Sequence, residues 1–213
     1  NREIKMDVSF AILAHNEGED LGRLLKQITN NTLDYEFEII VVDDYSTDER
    51  TIEILNEYGE MDNVNVFQRK LDKDFAGQKN YANSKCAGKY IFSVDADEYF
   101  PTDLIENIYI LMELNPKVDL IRIPRINLVG GLTKEHIKKW GWHVNSMGWI
   151  NFPDFQSRLY KNSPNIKWKN KVHEIVVGAK VISVLPTDKE WCLVHNKHID
   201  KQEQQNEFYE GIG

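Results

Sequence analysis

The sequence predicts an α/β protein with a mostly parallel, doubly wound sheet that carries helices on both faces. Short runs rich in Val, Ile and Phe alternate with amphipathic, helix-like segments through residues 7–114. Some of these apolar runs are nearly continuous, as expected for strands that are covered on both sides. Polar clusters follow the strands, at the edge where such sheets bind ligands. After Val118 the pattern becomes irregular and rich in aromatic residues.

The first half of the chain predicts four strand–helix units in order. We expect strands at Asp7–Ala14, Phe37–Val42 and Val64–Phe67 and in the run that begins at Lys89. We expect helices from Asp20 to about Asn31, from the Asp43–Asp48 turn to about Tyr58, over Ala76–Ala87 and from Thr102 to about Leu114. Asp20 and Thr102 are predicted N-caps, and Gly88 is predicted to end the third helix at its C′ position.

The second half predicts a smaller, less regular part of the same domain. Asp119–Val129 alternates apolar and polar residues and predicts a strand, which Gly130-Gly131 ends. Thr133–Val144, basic and aromatic, predicts a mobile loop or short helix. We expect antiparallel strands at Gln156–Tyr160, Val172–Val177 and Lys180–Leu185, then a short strand at Glu190–Val194 and a polar helix at Asp200–Tyr209.

Composition excludes several classes of protein. The net charge of −8 gives no overall basic footprint for nucleic acid, although Lys134–Lys139 and Lys161–Lys171 are locally basic. Two cysteines, Cys86 and Cys192, are too few for a disulfide framework, so we expect a reducing, cytoplasmic location. No apolar run is long enough to span a membrane, and no signal peptide is expected. Because the first residue is Asn, we expect a processed or trimmed start.

The most informative segment is the acidic end of the fourth predicted strand. Asp95, Asp97 and Glu98 follow a buried apolar run, and carboxylates are tolerated there only where the strand opens into a crevice. Hard divalent cations take oxygen ligands and usually also hold substrate phosphates. An isolated pair of this kind would more often be a solvated turn. However, His15–Glu17 and Asp43-Asp44 follow two other strands, so a shared metal–diphosphate site is favoured.

Together these segments resemble family-2 glycosyltransferases, which transfer a sugar from a nucleoside diphosphate to an acceptor. The matching pieces, in order, are Ala14–Glu17, Val41–Asp48, Gly77–Asn80 and Ala87–Glu98. Gln156–Tyr160 and Lys171–Glu174 more loosely resemble a subset related to bacterial core-oligosaccharide transferases. The resemblance implies a Rossmann-like GT-A fold in one domain, residues 1–213. Residues 1–118 would bind the nucleotide sugar, and residues 119–213 would form the catalytic half with a small antiparallel, aromatic-rich acceptor lobe.

The resemblance also implies a metal-dependent, inverting reaction. Asp97 would be the main ligand of Mn²⁺ or Mg²⁺. Asp95 would bind the ribose or reach the metal through water. A late histidine often completes the metal shell in such folds, and His195 is the candidate, with His198 behind it.

The matching segments further imply a donor site for a nucleoside-diphosphate sugar. In this family the nucleotide of the donor is most often uridine diphosphate. Asp44 would accept a hydrogen bond from the imino group of the nucleotide base, and Glu17 would contact the ribose or the nucleotide base. His15 and Ser46 lie in the same segments and are taken as donor-binding. Lys79 stands where the family usually has Arg, so it lacks the planar fork of a guanidinium.

An inverting displacement needs a base for the acceptor proton. Asp154 is the first choice and Glu174 the second, because the family's usual Glu-Asp pair is absent. Arg158 is interpreted as a phosphate or acceptor contact or as the partner of a carboxylate. An aromatic group could form an acceptor platform or pack as core, and Lys134, Lys138 and Lys139 could cover the diphosphate or contact an anionic acceptor. The aromatic residues are Trp140, Trp142, Trp149, Phe152 and Phe155.

Other functions stay open at this point. A sugar-nucleotide nucleotidyltransferase would have a glycine-rich loop after the first strand, where Ala11–Asp20 has only Gly18. A non-catalytic nucleotide-binding module would be indicated by loss of a metal carboxylate. A receiver-type phosphoacceptor carries its paired Asp after the first strand, not the second. The acceptor could be a surface glycan, a lipid-linked sugar, a protein or a hydroxymethylated DNA base of the kind that some bacteriophage enzymes glycosylate. The oligomeric state is not predicted.

Overall fold

A computed structural model of the chain describes residues 6–210, and it confirms the α/β fold with a mostly parallel sheet. The strands are β1 (Val8–Ala14), β2 (Phe37–Asp43), β3 (Val64–Gln68), β4 (Tyr90–Asp95), β5 (Glu98–Tyr99), β6 (Leu120–Gly130), β7 (Ile150–Lys161), β8 (Lys167–Lys169), β9 (Ile175–Val177), β10 (Ile182–Val184) and β11 (Leu193–His198). The helices are α1 (Glu19–Asn30), α2 (Glu49–Gly59), α3 (Phe75–Lys85), α4 (Thr102–Glu113), α5 (Lys134–Trp140) and α6 (Ile199–Glu210), with a 3₁₀ turn at Lys189–Trp191.

The main sheet brings the polar strand ends of both halves to one edge. Within residues 6–210 its strand order is β3-β2-β1-β4-β7-β6-β11-β5, and β10 pairs with the first part of β6. Neighbours pair in parallel except at β4–β7, β7–β6 and β11–β5. Since β4 and β6 both oppose β7, they run in the same direction as β1, β2 and β11. The carboxyl ends of these strands therefore share the edge at which parallel sheets bind ligands.

Helix α1 shows why the sequence pattern locates the core. Its four apolar positions Leu21, Leu24, Leu25 and Ile28 recur at helical spacing and are all buried. They join the large core cluster with Phe10, whose ring contacts Phe92 and Phe100. Both faces of the central strands are covered, as their continuous apolar runs predict.

Three of the predicted helix ends are wrong. The N-cap of α1 is Gly18, and Asp20 lies in the first helical turn, where a carboxylate faces the positive end of the helix dipole. Pro101, not Thr102, caps α4. Helix α3 already ends at Lys85, so Gly88 is not its C′ residue. Gly88 instead lets the chain pass close to β1, because a Cβ there would lie 2.6 Å from the backbone nitrogen of Ser9.

The second half differs from its predicted strands in direction and length. The Lys180–Leu185 segment forms β10, which runs parallel, not antiparallel, to β6. Only the end of Val172–Val177 is a strand, and it pairs antiparallel with β8. Glu190 lies in the 3₁₀ turn, and the strand predicted there begins at Leu193, as β11. Alternation of apolar residues marks an extended chain but carries no information on its direction. The polar helix α6 is confirmed.

No helix within residues 6–210 has the length and apolar character needed to cross a membrane.

Candidate active site

The carboxyl-end edge of the sheet opens into a cleft of about 880 Å³. It brings together nearly all of the side chains that the sequence singles out, although they come from distant segments. The predicted residues that line it are His15, Glu17, Asp44, Lys79, Asp95, Asp97, Asp154, Glu174 and His195. Ser46 is the exception: it does not line the cleft, because its hydroxyl donates to buried Asp43 and accepts from the Asn16 N–H. His198 is exposed beside Asp200 and does not line it either.

A chain of hydrogen bonds and an ion pair crosses the cleft from the predicted metal ligand to the predicted base. Asp97 Oδ2 lies 3.2 Å from His195 Nε2. His195 Nδ1 lies 2.9 Å from Asn127 Oδ1, and Asn127 Nδ2 donates to Asp154 Oδ2 at 2.9 Å. Asn127 and His195 are adjacent because β6 and β11 pair with these two residues in register.

Behind this chain lies a buried network of arginines and carboxylates. Glu98 is fully buried and accepts through Oε1 from Arg125 at 3.0 Å and from Arg158 at 2.6 Å. Its other oxygen accepts from the backbone N–H of Asp95 at 3.0 Å. Arg158, 1% exposed, also donates to Asp95 Oδ2 at 2.6 Å. Arg158 is therefore the partner of carboxylates, one of the two roles expected for it.

The two arginines keep Asp95 ionised. Burial alone would raise the pKa of Asp95, but the guanidinium of Arg158, together with Lys79 and Arg125, holds that pKa well below its usual range. Since Arg158 cannot lose its proton at any working pH, this pair is permanent. The network thus fixes the loop that carries both Asp95 and Asp97.

Asp97 is surrounded by three basic side chains. Besides His195, the ammonium groups of Lys201 and Lys197 lie 3.5 and 3.9 Å from the same Oδ2 atom. Burial opposes ionisation of Asp97, yet His195 and the two lysines hold its pKa below the usual range. Lys201, at the start of α6, also pairs with Glu17 at 2.7 Å. Burial raises the pKa of Glu17, an effect that Lys201 partly opposes.

Asp97 and His195 would supply two neighbouring ligands to a divalent cation. Magnesium holds its ligands in near-octahedral geometry at about 2.1 Å, so adjacent ligand atoms lie about 3 Å apart. The 3.2 Å between Asp97 Oδ2 and His195 Nε2 matches two such adjacent ligands. Across the described part of the chain, no group of three or more His, Cys, Asp and Glu side chains converges on a metal position. The remaining ligands would therefore come from a bound diphosphate and water.

Asp154, on β7, is held as an ionised acceptor. Its Oδ2 accepts from Arg125 Nε at 3.0 Å and from Asn127, whereas Oδ1 accepts from Gln156 Nε2 at 2.6 Å. Burial would raise the pKa of Asp154, but Arg125, Asn127 and Gln156 lower it overall. A carboxylate has about four acceptor positions in all, so Oδ1 retains room for one more donor. This acceptor position meets one requirement of a base for a substrate hydroxyl.

Glu174, the second candidate for the base, lines the same cleft and is paired with Lys79. Its carboxylate pairs with Lys79 Nζ at 2.7 Å, and that ammonium lies 4.2 Å from the centre of the Trp168 ring. Lys79 is buried at 7% exposure. Lys79 occupies one acceptor position of the Glu174 carboxylate, so this pair alone does not exclude Glu174 as the base.

Only part of the aromatic group faces the cleft. Trp142 and Phe155 line it, as acceptor-platform residues should. Trp140 packs on Trp142 with ring centres 4.6 Å apart, and Trp149 packs on Phe152. None of the five aromatic residues belongs to a buried core cluster, so they do not pack as core, and their role as an acceptor platform stays a prediction. Helix α5 exposes its three lysines, which do not line the cleft.

Four residues that build the site were not found from the sequence: Arg125, Asn127, Lys197 and Lys201. Arg125 and Asn127 alternate with apolar residues on β6, and such polar positions are typical of any half-exposed strand. The one available signal was that they lie at the carboxyl end of a strand, as Asp95 does. Lys201 lies in a polar helix, where a lysine is unremarkable by composition.

Comparisons with known proteins agree with this geometry. The model of glycosyl transferase family 2 matches residues 9–189. The chain is 34% identical over 107 residues to the poly(ribitol-phosphate) beta-glucosyltransferase of Bacillus spizizenii, covering 49% of this chain and 17% of that protein. It is 27% identical over 125 residues to TarS of Staphylococcus aureus, a poly(ribitol-phosphate) beta-N-acetylglucosaminyltransferase, covering 57% of this chain and 22% of that protein.

A solved structure extends the likeness to most of the chain. The crystal structure of S. aureus TarS 1-349 in complex with UDP-GlcNAc matches with a TM-score of 0.65 and 21% sequence identity, over 90% of this chain and 59% of that chain. At this identity the likeness shows the fold, and it confirms the GT-A arrangement. The chain spans about a fifth of the length of the two curated relatives named. With a family model that matches most of its residues, the chain belongs to glycosyl transferase family 2.

Proposed function

We propose that this chain transfers a sugar from a uridine-diphosphate sugar to a hydroxyl of a polyol-phosphate or glycan acceptor, with inversion at the anomeric carbon. The observation that carries the proposal is the cleft in which Asp97 and His195 are linked through Asn127 to Asp154. One end of this chain of contacts suits a diphosphate with its cation, and the other suits a hydroxyl that must lose a proton. The TarS structure in complex with UDP-GlcNAc supports the choice of donor.

On the donor side, Asp44, Glu17 and His15 lie at the ends of β1 and β2 and line the cleft. Asp44 Oδ1 accepts from the Leu71 N–H at 2.9 Å, which fixes the carboxylate and leaves its second oxygen for a base N–H. Lys79 carries the positive charge on this side. These residues would orient the nucleotide, so that the sugar lies between Asp97 and Asp154.

At the leaving group, Asp97 and His195 would hold Mn²⁺ or Mg²⁺. When bound, such an ion would stabilise the negative charge that develops on the departing diphosphate. Lys197 and Lys201 add positive charge at the same end of the cleft without needing an ion. Burial lowers the pKa of Lys197, although Asp97 opposes this.

On the acceptor side, Asp154 would take the proton of the attacking hydroxyl through Oδ1. Its low pKa keeps it ionised, so it is always able to accept, although as a weak base. Trp142 and Phe155 offer aromatic surface for a sugar or polyol. The exposed lysines of α5 favour an acceptor that carries phosphate, which is the class named for both curated relatives. Neither of the two curated relatives is named for a reaction on DNA.

Calorimetric titration with uridine, guanosine, adenosine and cytidine diphosphates, with and without Mn²⁺, tests the donor part. We expect Mn²⁺-dependent binding of uridine diphosphate. Failure of every diphosphate to bind a folded sample with metal would replace the proposal with a non-catalytic module. Transfer from UDP-glucose and UDP-GlcNAc to poly(ribitol phosphate), with a neutral glycan as the comparison, then tests the acceptor.

The base is tested by paired variants. Asp154→Asn should retain affinity for uridine diphosphate but lose about 10²–10⁴-fold in turnover, the usual contribution of a general base. Glu174→Gln removes a carboxylate on the donor side and should mainly weaken donor binding. If Glu174→Gln instead abolishes turnover while Asp154→Asn is active, the base is Glu174.

A further inference from the structure

The side-chain amide of Asn127 has only one orientation that fits its neighbours. One amide atom faces the carboxylate of Asp154 at 2.9 Å, and the other faces the imidazole of His195 at 2.9 Å. An ionised carboxylate can only accept hydrogen bonds, so the NH₂ group must face Asp154. The amide oxygen therefore faces His195, and this assignment follows from chemistry as well as from coordinates.

This orientation dictates which imidazole nitrogen carries a proton. An amide oxygen cannot donate, so His195 Nδ1 must carry the hydrogen that bonds to Asn127. In the neutral ring, Nε2 then holds a lone pair. That lone pair is directed towards Asp97 Oδ2, 3.2 Å away, and two acceptors at this distance require a cation or a proton between them. Histidines that bind metals usually donate their other N–H to an oxygen in this way.

We propose that Asn127 is a positioning residue that holds His195 in its Nδ1–H tautomer and, with the other end of the same amide, orients Asp154. A single side chain thereby couples the cation side of the cleft to the hydroxyl side. The roles assigned to Nε2 and Asp154 rest on the proposed function. The hydrogen on Nδ1 is required whether Nε2 binds a cation or carries a proton, so it is measured without substrate, metal or turnover.

Gln156 provides a matched control for Asn127. Both residues donate an amide N–H to Asp154, Gln156 to Oδ1 at 2.6 Å and Asn127 to Oδ2. Only Asn127 also bonds to His195. Asn127→Leu and Gln156→Leu each remove one hydrogen bond to Asp154 with a side chain of similar size. They differ in whether the imidazole loses its partner.

Long-range ¹H–¹⁵N correlation spectra of the metal-free protein report the tautomer of each histidine. The His195 signals are assigned by their loss in His195→Gln. We expect Nδ1–H in the unchanged protein and in Gln156→Leu. In Asn127→Leu the ring should change to Nε2–H, because Asp97 then offers the nearest acceptor.

Manganese titration in the presence of uridine diphosphate gives a second readout. Asn127→Leu should weaken Mn²⁺ binding about 10–100-fold, as losses of a ligand's supporting partner do, whereas Gln156→Leu should leave it within about twofold. If Asn127→Leu does not fold, Asn127→Ala removes the same two bonds without added bulk and carries the same expectation.

Three results would overturn the proposal: a His195 ring without a hydrogen on Nδ1 in the unchanged protein, an unaltered tautomer in the Asn127 variants, or a loss of Mn²⁺ affinity in Gln156→Leu as large as that in Asn127→Leu. An Nδ1–H ring that depends on Asn127, in a protein that binds no diphosphate, would instead uphold the positioning role and reject the proposed function.

Discussion

Replacement of Glu98 by Gln is the sharpest test of the buried charge network. The side chain is fully buried, and its volume and shape are nearly unchanged by the substitution. Glu98 accepts from Arg125 at 3.0 Å, from Arg158 at 2.6 Å and from the backbone N–H of Asp95 at 3.0 Å. Glutamine removes the negative charge and turns one acceptor atom into a donor.

The expected cost follows from these contacts. Charge-assisted hydrogen bonds are roughly twice as strong as neutral ones, so each arginine contact should weaken by about 1 kcal/mol. The NH₂ group of Gln would also face the N–H of Asp95, and a buried donor without a partner costs about 1–3 kcal/mol. The sum is about 3–5 kcal/mol, the range seen when a buried ion pair loses one member. For a chain of this size each kcal/mol lowers the Tm by about 2–4 °C, so we expect a decrease of about 6–20 °C.

Differential scanning calorimetry of Glu98→Gln and the unchanged protein measures this decrease. The control is Glu53→Gln, which makes the same chemical change at a solvent-exposed pair with Arg50 and should leave the Tm unaltered. Uridine diphosphate affinity should fall in Glu98→Gln alone, because Asp95 loses its support. A Tm decrease of less than about 3 °C would show that the network is not the stabilising centre inferred from its burial.

The remaining predictions concern the ends of the cleft. Asp97→Asn should abolish the Mn²⁺-dependent part of diphosphate binding in a protein that still folds, although with a lower Tm because the ionised carboxylate stabilises the folded chain; calorimetry that shows unchanged Mn²⁺ dependence would contradict the metal assignment. Lys201→Met removes a positive charge 3.5 Å from Asp97 and should tighten Mn²⁺ binding about tenfold. The gain is modest because the lysine side chain is 39% exposed. Weaker Mn²⁺ binding would refute the idea that Lys201 competes with the metal. Asp95, Asp97 and Asp154 have pKa values lowered in the folded state, so the folded chain binds fewer protons than the unfolded one. Their contribution to stability is complete above the unfolded pKa of about 3.9 and is lost as the pH falls below it. Urea titrations between about pH 3 and about pH 6, that is from about one unit below to about two units above that pKa, should therefore show a steep decrease in the free energy of unfolding only at the acid end.

The sequence was most informative where one local segment carries both structure and chemistry. Asp95 and Asp97 could be placed because a buried strand and its acidic end are contiguous, and the strand-end rule then joined them to Glu17 and Asp44. His195 was located as a late histidine on an apolar strand, and the structure places it 3.2 Å from Asp97. Its role in metal binding stays a prediction.

Sequence reasoning failed where the information lies in the pairing of strands. Arg125 and Asn127 reach Asp154 because β6 opposes β7 with a register shift between Arg125 and Asn127, and no local pattern determines that register. The same cause made β10 appear antiparallel, since strand direction depends on the connection and not on the apolar pattern. Ser46 does not line the cleft for a local reason: its hydroxyl donates to Asp43 within the same turn, although the motif places Ser46 beside residues that do line the cleft.

The network also separates the roles of the two aspartates in the acidic segment. Asp95 Oδ2 is bound by Arg158, whose guanidinium is 1% exposed and cannot deprotonate, so direct metal ligation by that oxygen would break a buried pair. Asp97 is balanced instead by His195 and by Lys201, a partly exposed lysine that can withdraw. A divalent cation at Asp97 would displace a partly exposed lysine, whereas one at Asp95 Oδ2 would displace a buried arginine. Both roles expected for Asp95, contact with the ribose and contact with the metal through water, are compatible with this pair, whereas a direct bond from Oδ2 to the metal is not favoured.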